Sequence, residues 1–262
     1  LLFFTNEGRV FKIKAFEVPE MSRQAKGTAI VNLLSLNPDE TIKSILIVDD
    51  EKDQDKFITL ATREGLVKKS AVNLYENIRS TGIIAITLNE GDEVIQGQIT
   101  DGNDELFLTT HKGKSIRFSE KEVKDSSRDT KGVKGITLRK GDEVASFQTI
   151  DEQMKQDKEA AVLVVTENGM GKRTKIEEYP SQKRSGLGVK VADVTKKTGK
   201  IAASRMITSN HKELVISTKK GQTIKLPNTK KALPFLTRPT QCVILMKLKK
   251  GDKVVSTALT EE

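Results

Sequence analysis

The chain has one cysteine among 262 residues, Cys242, so it holds no internal disulfide and suits a reducing, cytoplasmic compartment. Histidine is nearly as scarce. His111 and His211 lie far apart, without a nearby cysteine or a repeated carboxylate spacing, so no metal centre is expected from them. The two tyrosines, Tyr75 and Tyr179, sit in strand-to-loop segments and read as packing residues rather than nucleophiles. No run of about 18 apolar residues occurs, which excludes a helical membrane span. Residues 1–4 read as a strand and not as a signal peptide, since no basic leader or cleavage pattern is present. Gly171-Lys172-Arg173-Thr174 has the composition of a phosphate loop. Thr166 stands where the leading glycine belongs and no helix follows, so a nucleotide site is not expected there. No cofactor is expected, and no catalytic activity for this chain alone.

What the chain has in quantity is charge and repetition. Lys plus Arg number 45 against 36 acidic residues, a net charge of +9. A glycine-centred turn recurs five times, at Gly8, Gly65, Gly113, Gly169 and Gly221, with spacings of 57, 48, 56 and 52 residues. A period near fifty residues marks an array of supersecondary units. Each glycine follows a short run rich in β-branched and aromatic residues, such as Phe57-Ile58-Thr59-Leu60 or Ala161-Val162-Leu163-Val164, which reads as a strand. The turn dipeptides supply φ > 0, so each copy predicts a tight hairpin.

A second mark follows in each copy. It is a basic loop (22–27, 77–82, 127–132, 181–188 and 236–242), then an apolar stretch that reads as a further strand at 30–36, 83–88, 133–138, 189–194 and 243–248. Three copies add a Gly-Asp turn, at Gly91-Asp92, Gly141-Asp142 and Gly251-Asp252, before a last strand. One unit is therefore about four strands with no helix longer than a turn or two, the content of a propeller blade. The expectation is an all-β single domain, 1–262, with repeats near 1–52, 53–102, 103–156, 157–210 and 211–262. The acidic runs 49–55 and 151–157 read as solvated loops.

The cations recur in phase, after the turn and in the loop. Such a pattern in a basic array is the footprint of a polyanion binder. The alternative is a propeller scaffold for protein partners, which has no need of basic residues repeated in phase.

Aligned this way, the chain resembles the C-terminal domain of the DNA gyrase A protein, with the A-type protein of topoisomerase IV as nearest relative. The residues that carry the resemblance are Gly8-Arg9-Val10, Leu33-Leu34, Glu64-Gly65 with Val67-Lys68-Lys69, Gly82, Gly132-Val133-Lys134-Gly135-Ile136, Asn168-Gly169 with Gly171-Lys172-Arg173-Thr174, and Glu178-Tyr179-Pro180. The resemblance implies a β-pinwheel whose basic rim bends double-stranded DNA for strand passage and negative supercoiling. It implies the rest of gyrase A and gyrase B as partners in an ATP-dependent enzyme. Family members carry a box reading QRRGGKG. The closest stretch here is Gln182-Lys183-Arg184-Ser185-Gly186-Leu187-Gly188, with Ser185 and Leu187 as departures. The candidate DNA contacts on the hairpin strands are Arg9, Lys12, Lys68, Lys69, Lys114, Arg117, Lys172, Arg173 and Lys225. In the loops they are Arg23, Lys26, Arg79, Arg128, Lys131, Gln182, Lys183, Arg184 and Arg238.

Overall fold

The computed structural model describes residues 1–22, 24–49 and 51–261. The chain forms two compact units, one of Leu1–Gly102 with Val123–Val133, the other of Asn103–Glu122 with the chain from Lys134 onward. The first repeat supplies β1 (Leu2–Thr5), β2 (Arg9–Lys12) and β3 (Ile42–Leu46), and the second β4 (Phe57–Thr62), β5 (Leu66–Ala71), β6 (Ile83–Ile84) and β7 (Val94–Thr100). The third repeat supplies β8 (Glu105–Thr110), β9 (Lys114–Ser119), β10 (Val133–Lys134) and β11 (Val144–Ile150). The fourth adds β12 (Ala161–Thr166), β13 (Met170–Lys175), β14 (Val189–Lys190) and β15 (Ile201–Ile207), and the fifth β16 (Glu213–Thr218), β17 (Thr223–Pro227), β18 (Val243–Ile244) and β19 (Val254–Thr260).

These strands form five antiparallel blades, ordered β3-β1-β2-β6, β10-β5-β4-β7, β11-β8-β9-β14, β15-β12-β13-β18 and β17-β16-β19. In the first four blades the short outer strand comes from the following repeat. The fifth sheet has three strands among the described residues. The long strands at the opposite edge pack on one another within each unit, β3 on β7 in the first and β11 on β15 and β15 on β19 in the second. The donated strands therefore lie at the outer edges.

The five hairpin glycines all take positive φ, between 74° and 84°. Gly8, Gly113 and Gly169 have a second constraint, which Gly221 lacks. A Cβ on Gly8 would stand 2.5 Å from the Ile86 carbonyl oxygen, and one on Gly169 would stand 2.5 Å from that of Met246. That close approach lets the Gly8 carbonyl accept from Ala85 and Ile86, and the Gly169 carbonyl from Leu245 and Met246. The apolar stretches read as full strands are consequently only two residues long, since their backbones leave the ladder to bond the hairpin turn. Residues 30–36 differ further: Ile30–Asn32 form a 3-10 turn.

The Gly-Asp turns act as clasps. Asp142 accepts from the Thr110 hydroxyl at 2.7 Å and from the Lys112 amide at 3.0 Å, while Thr110 in turn accepts from the Lys114 amide. Thr218, Asp252, Lys220 and Gln222 repeat this arrangement in the last blade. Asp142 and Asp252 are buried with their hydrogen-bonding capacity used locally, so the motif serves the fold.

Tyr75 packs edge-on against Phe4 with centroids 6.0 Å apart, and Tyr179 against Phe107 at 5.1 Å. Each is buried and leans on the blade before its own repeat, which confirms both as packing residues. Burial holds the Tyr75 phenol up at about 12 and raises that of Tyr179 as well. Ile58, Leu60, Phe107, Val162 and Val164 fill the cores, and Cys242 is buried. Residues 152–156 form one turn of helix capped by Asp151, which accepts from the Met154 amide at 2.7 Å, in place of the solvated loop expected there.

Candidate nucleic-acid interface

The in-phase cations of the sequence separate into three groups. The first is interior. Lys68 is 2% exposed, Lys69 6%, Lys172 0% and Arg173 3%. The Lys68 ammonium donates to the Ala85 carbonyl at 2.8 Å and to the Arg128 carbonyl. That of Lys172 donates to the carbonyls of Thr237 at 2.6 Å and Arg238 at 2.7 Å, and at 3.2 Å to both oxygens of Thr240. Burial lowers both ammonium groups to about 8. Lys69 lies 4.7 Å from the Phe57 ring centroid. Arg173 donates to the Leu233 carbonyl and the Asn228 side chain, and its guanidinium stacks 4.2 Å from the Phe235 centroid. These four, expected on an exposed strand face, are buried instead. Alternation on the strand fails to reveal this, because the segment that buries them arrives from the next repeat.

The second group is half-buried and holds swapped segments. Arg128 donates to the carbonyl of Ile84 at 3.0 Å, Arg184 to that of Lys134 at 3.1 Å and Arg238 to that of Lys190 at 3.4 Å. Each of those carbonyls belongs to the second residue of a donated strand, so each loop arginine staples the outer edge. Arg117 pairs with Glu105 and also donates to the carbonyls of Ile176 and Tyr179. Burial raises the Glu105 carboxyl, but its bonds to Arg117 and Ser181 and the nearby charges of Arg117 and Lys155 together hold it below the usual range. Arg9 is neutralised by Glu40, and Lys12 donates to the Glu76 carbonyl at 3.4 Å. Gln182 turns its amide nitrogen into the protein, where it is buried.

The third group reaches solvent: Lys26, Arg79, Lys131, Lys183 and Lys225 are exposed or half-exposed, and Lys114 is half-exposed. Lys225 is paired with Glu213 at 3.2 Å. Arg23 lies outside the described residues. Around Lys114 the outer edge of the third blade gathers further cations. Burial, then the nearby charges of Arg139 and Lys190, push its ammonium below the ordinary value. Like charges crowded this way bind anions. Arg139, Lys134 and Lys190 were not picked out from the sequence. The signal was present, since Lys134 and Lys190 each follow a valine in a two-residue donated strand.

In the loop 182–188, Ser185 takes φ of 69°. It stands where the box has a glycine, so the backbone there is left-handed with or without one. The hydroxyl of Ser185 donates to the Lys134 carbonyl at 2.9 Å.

The fold and this outer edge define a class: a strand-exchanging, propeller-like β-pinwheel with a basic rim. The family model described as "DNA gyrase C-terminal domain, beta-propeller" matches residues 1–49, 56–101, 104–151, 160–207 and 212–261, and the chain belongs to that family. It is 39% identical over its whole length to the DNA gyrase A protein of Staphylococcus epidermidis and 41% identical over 226 residues, 86% of the chain, to that of Staphylococcus aureus. It spans 29% and 25% of those proteins. Among solved structures, the C-terminal domain of a DNA topoisomerase IV superposes with a TM-score of 0.88 at 26% identity, covering 99% of this chain and 78% of that one. A DNA gyrase A C-terminal domain gives 0.82 at 24% identity, covering 98% and 81%. No helix among the described residues is long and apolar enough to cross a membrane.

Proposed function

We propose that this chain binds and wraps duplex DNA as the non-catalytic C-terminal domain of a gyrase A protein, presenting DNA to an ATP-dependent topoisomerase that includes gyrase B. The observation that carries the reading is the outer edge of the third blade, where Lys114 and Lys190 stand opposite one another in register with Arg139 nearby, Lys190 sharing its charge with Asp193 at 2.8 Å. Lys26, Arg79, Lys131, Lys183 and Lys225 extend the set of contacts, with the edge arginines Arg128, Arg184 and Arg238 adding charge. Phosphates compensate such a surface without reading bases, and no helix among the described residues is built to enter a major groove. The test is a salt titration of binding to duplexes of unrelated sequence. About five neutralised phosphates give a slope of log K against log salt near −4.5. Lys114→Glu with Lys190→Glu is expected to lower affinity more than tenfold. Binding without a salt slope, or confined to one short sequence, would refute the reading. A topology assay on relaxed circular DNA reads wrapping separately.

A further inference from the structure

We propose that Lys68 and Lys172 are positioning residues for DNA binding: each holds a loop of the following repeat in its binding shape without itself touching DNA. The inference rests on the DNA-binding reading above. Each buried ammonium captures the backbone carbonyl of a loop arginine, Arg128 in one case and Arg238 in the other. The guanidinium of that same arginine reaches back to the outer strand, at Ile84 and at Lys190. Main chain and side chain of one residue are thus pinned together. Drawing the loop carbonyls inward also withdraws their negative dipole ends from the edge that would meet phosphate.

The other two strand-exchange junctions use a different pair. Phe11 takes the equivalent position in β2 and Ile116 in β9, each three residues after its turn glycine. A Cβ on Gly82 would lie 2.8 Å from the Phe11 ring, and one on Gly186 would lie 3.4 Å from Ile116. At each apolar junction a loop glycine packs on the strand residue, though the two glycines stand at different places in their loops. Two residues after the loop arginine the lysine junctions have Thr130 and Thr240 and the Ile116 junction has Gly186, while the Phe11 junction has Thr81 there and Gly82 one place further on. Thr240 itself accepts from Lys172. An apolar strand residue lets the loop settle directly onto it only if the loop lacks a side chain at that point. An ammonium instead satisfies carbonyls that would otherwise be buried without a donor.

The experiment uses the full chain in three forms: unaltered, Lys68→Met with Lys172→Met, and an exchange form carrying Lys68→Ile, Thr130→Gly, Lys172→Ile and Thr240→Gly. Duplex affinity, its salt slope, trypsin cleavage after Arg128 and amide hydrogen exchange across residues 236–242, where Pro239 blocks trypsin at Arg238, are measured. The methionine form is expected to bind about tenfold more weakly with a slope flatter by about one to two units. Cleavage after Arg128 and exchange across 236–242 should speed up while cleavage in the 182–188 loop does not. The exchange form should regain most of the affinity although it lacks both ammonium groups. Unaltered affinity and slope in the methionine form would overturn the proposal. So would an exchange form with protected loops that still binds weakly, since the ammonium groups would then be direct contacts. Absence of duplex binding by the unaltered chain would instead overturn the DNA-binding reading, and the proposal with it.

Discussion

The second and third blades receive the following repeat in opposite ways. In the second, Lys68 sits under the loop with its charge spent on carbonyls, whereas in the third Ile116 presents a methyl group to Gly186. The two positions are equivalent in register, pairing with Leu60 in β4 and Leu108 in β8. One fold thus tolerates a cation or a hydrocarbon at the same buried point, provided the incoming loop is chosen to match. Recurrence of a basic residue at fixed phase is accordingly not, by itself, evidence of a polyanion surface.

The sharpest way to break this comparison is Lys172→Ala. It leaves a cavity and strands the carbonyls of Thr237, Arg238 and Thr240, and is expected to cost about 3–5 kcal/mol in chemical denaturation. A cost below about 1 kcal/mol would show that the ammonium does not hold the loop. On the apolar side, Gly82→Ala places a methyl group against the Phe11 ring at a φ of 73°, with an expected loss of about 2–3 kcal/mol. Thr130→Ala, in the loop that closes over Lys68, should cost about 1 kcal/mol, and equal losses from the two substitutions would erase the distinction.

The pH dependence separates the two kinds further. With the Lys68 and Lys172 ammonium groups lowered to about 8 in the fold and near the ordinary 10.5 when unfolded, the unfolded chain binds more protons between those values. Stability should therefore rise as pH climbs from about 8 to about 10.5, by about 1–2 kcal/mol once solvent screening is allowed for, and stay at its lower level below 8. Denaturation melts across that window should show the rise in the unaltered chain and lose it in the Lys68→Met, Lys172→Met form. The smallest effect is Ser185→Gly. It removes a left-handed serine but also the hydroxyl bond to Lys134, for a net gain of about 0.5 kcal/mol in Tm-derived stability. A clear loss would mean that the hydroxyl bond outweighs the backbone strain.

The array itself was legible because its physics is local. Positive φ at Gly8, Gly65, Gly113, Gly169 and Gly221 is demanded by the turn and advertised by the residue type. The β-branched runs before each glycine are strands by the same local logic. Tyr75 and Tyr179 were readable as packing groups from their place between strand and loop. The candidate site was legible in part. Loop cations such as Lys131 and Lys183 reach solvent as a loop position suggests, yet the apolar Ile244 is 60% exposed because it belongs to an outermost donated strand.

By itself the sequence determined the repeat, the strand content, the hairpin turns and the positive charge, since each depends on residues within a few positions of one another. Only the tertiary structure decided which cations are buried and which face outward. Lys68 stands three residues after its turn glycine and Lys114 one, both on the same face of their strands by alternation, so strand alternation does not tell them apart. The difference arises further along the chain, where the Arg128 carbonyl closes over Lys68 while Arg139 and Lys190 gather beside Lys114. Strand exchange makes burial at one repeat a property of the next, and a charge buried by a distant segment carries no local mark.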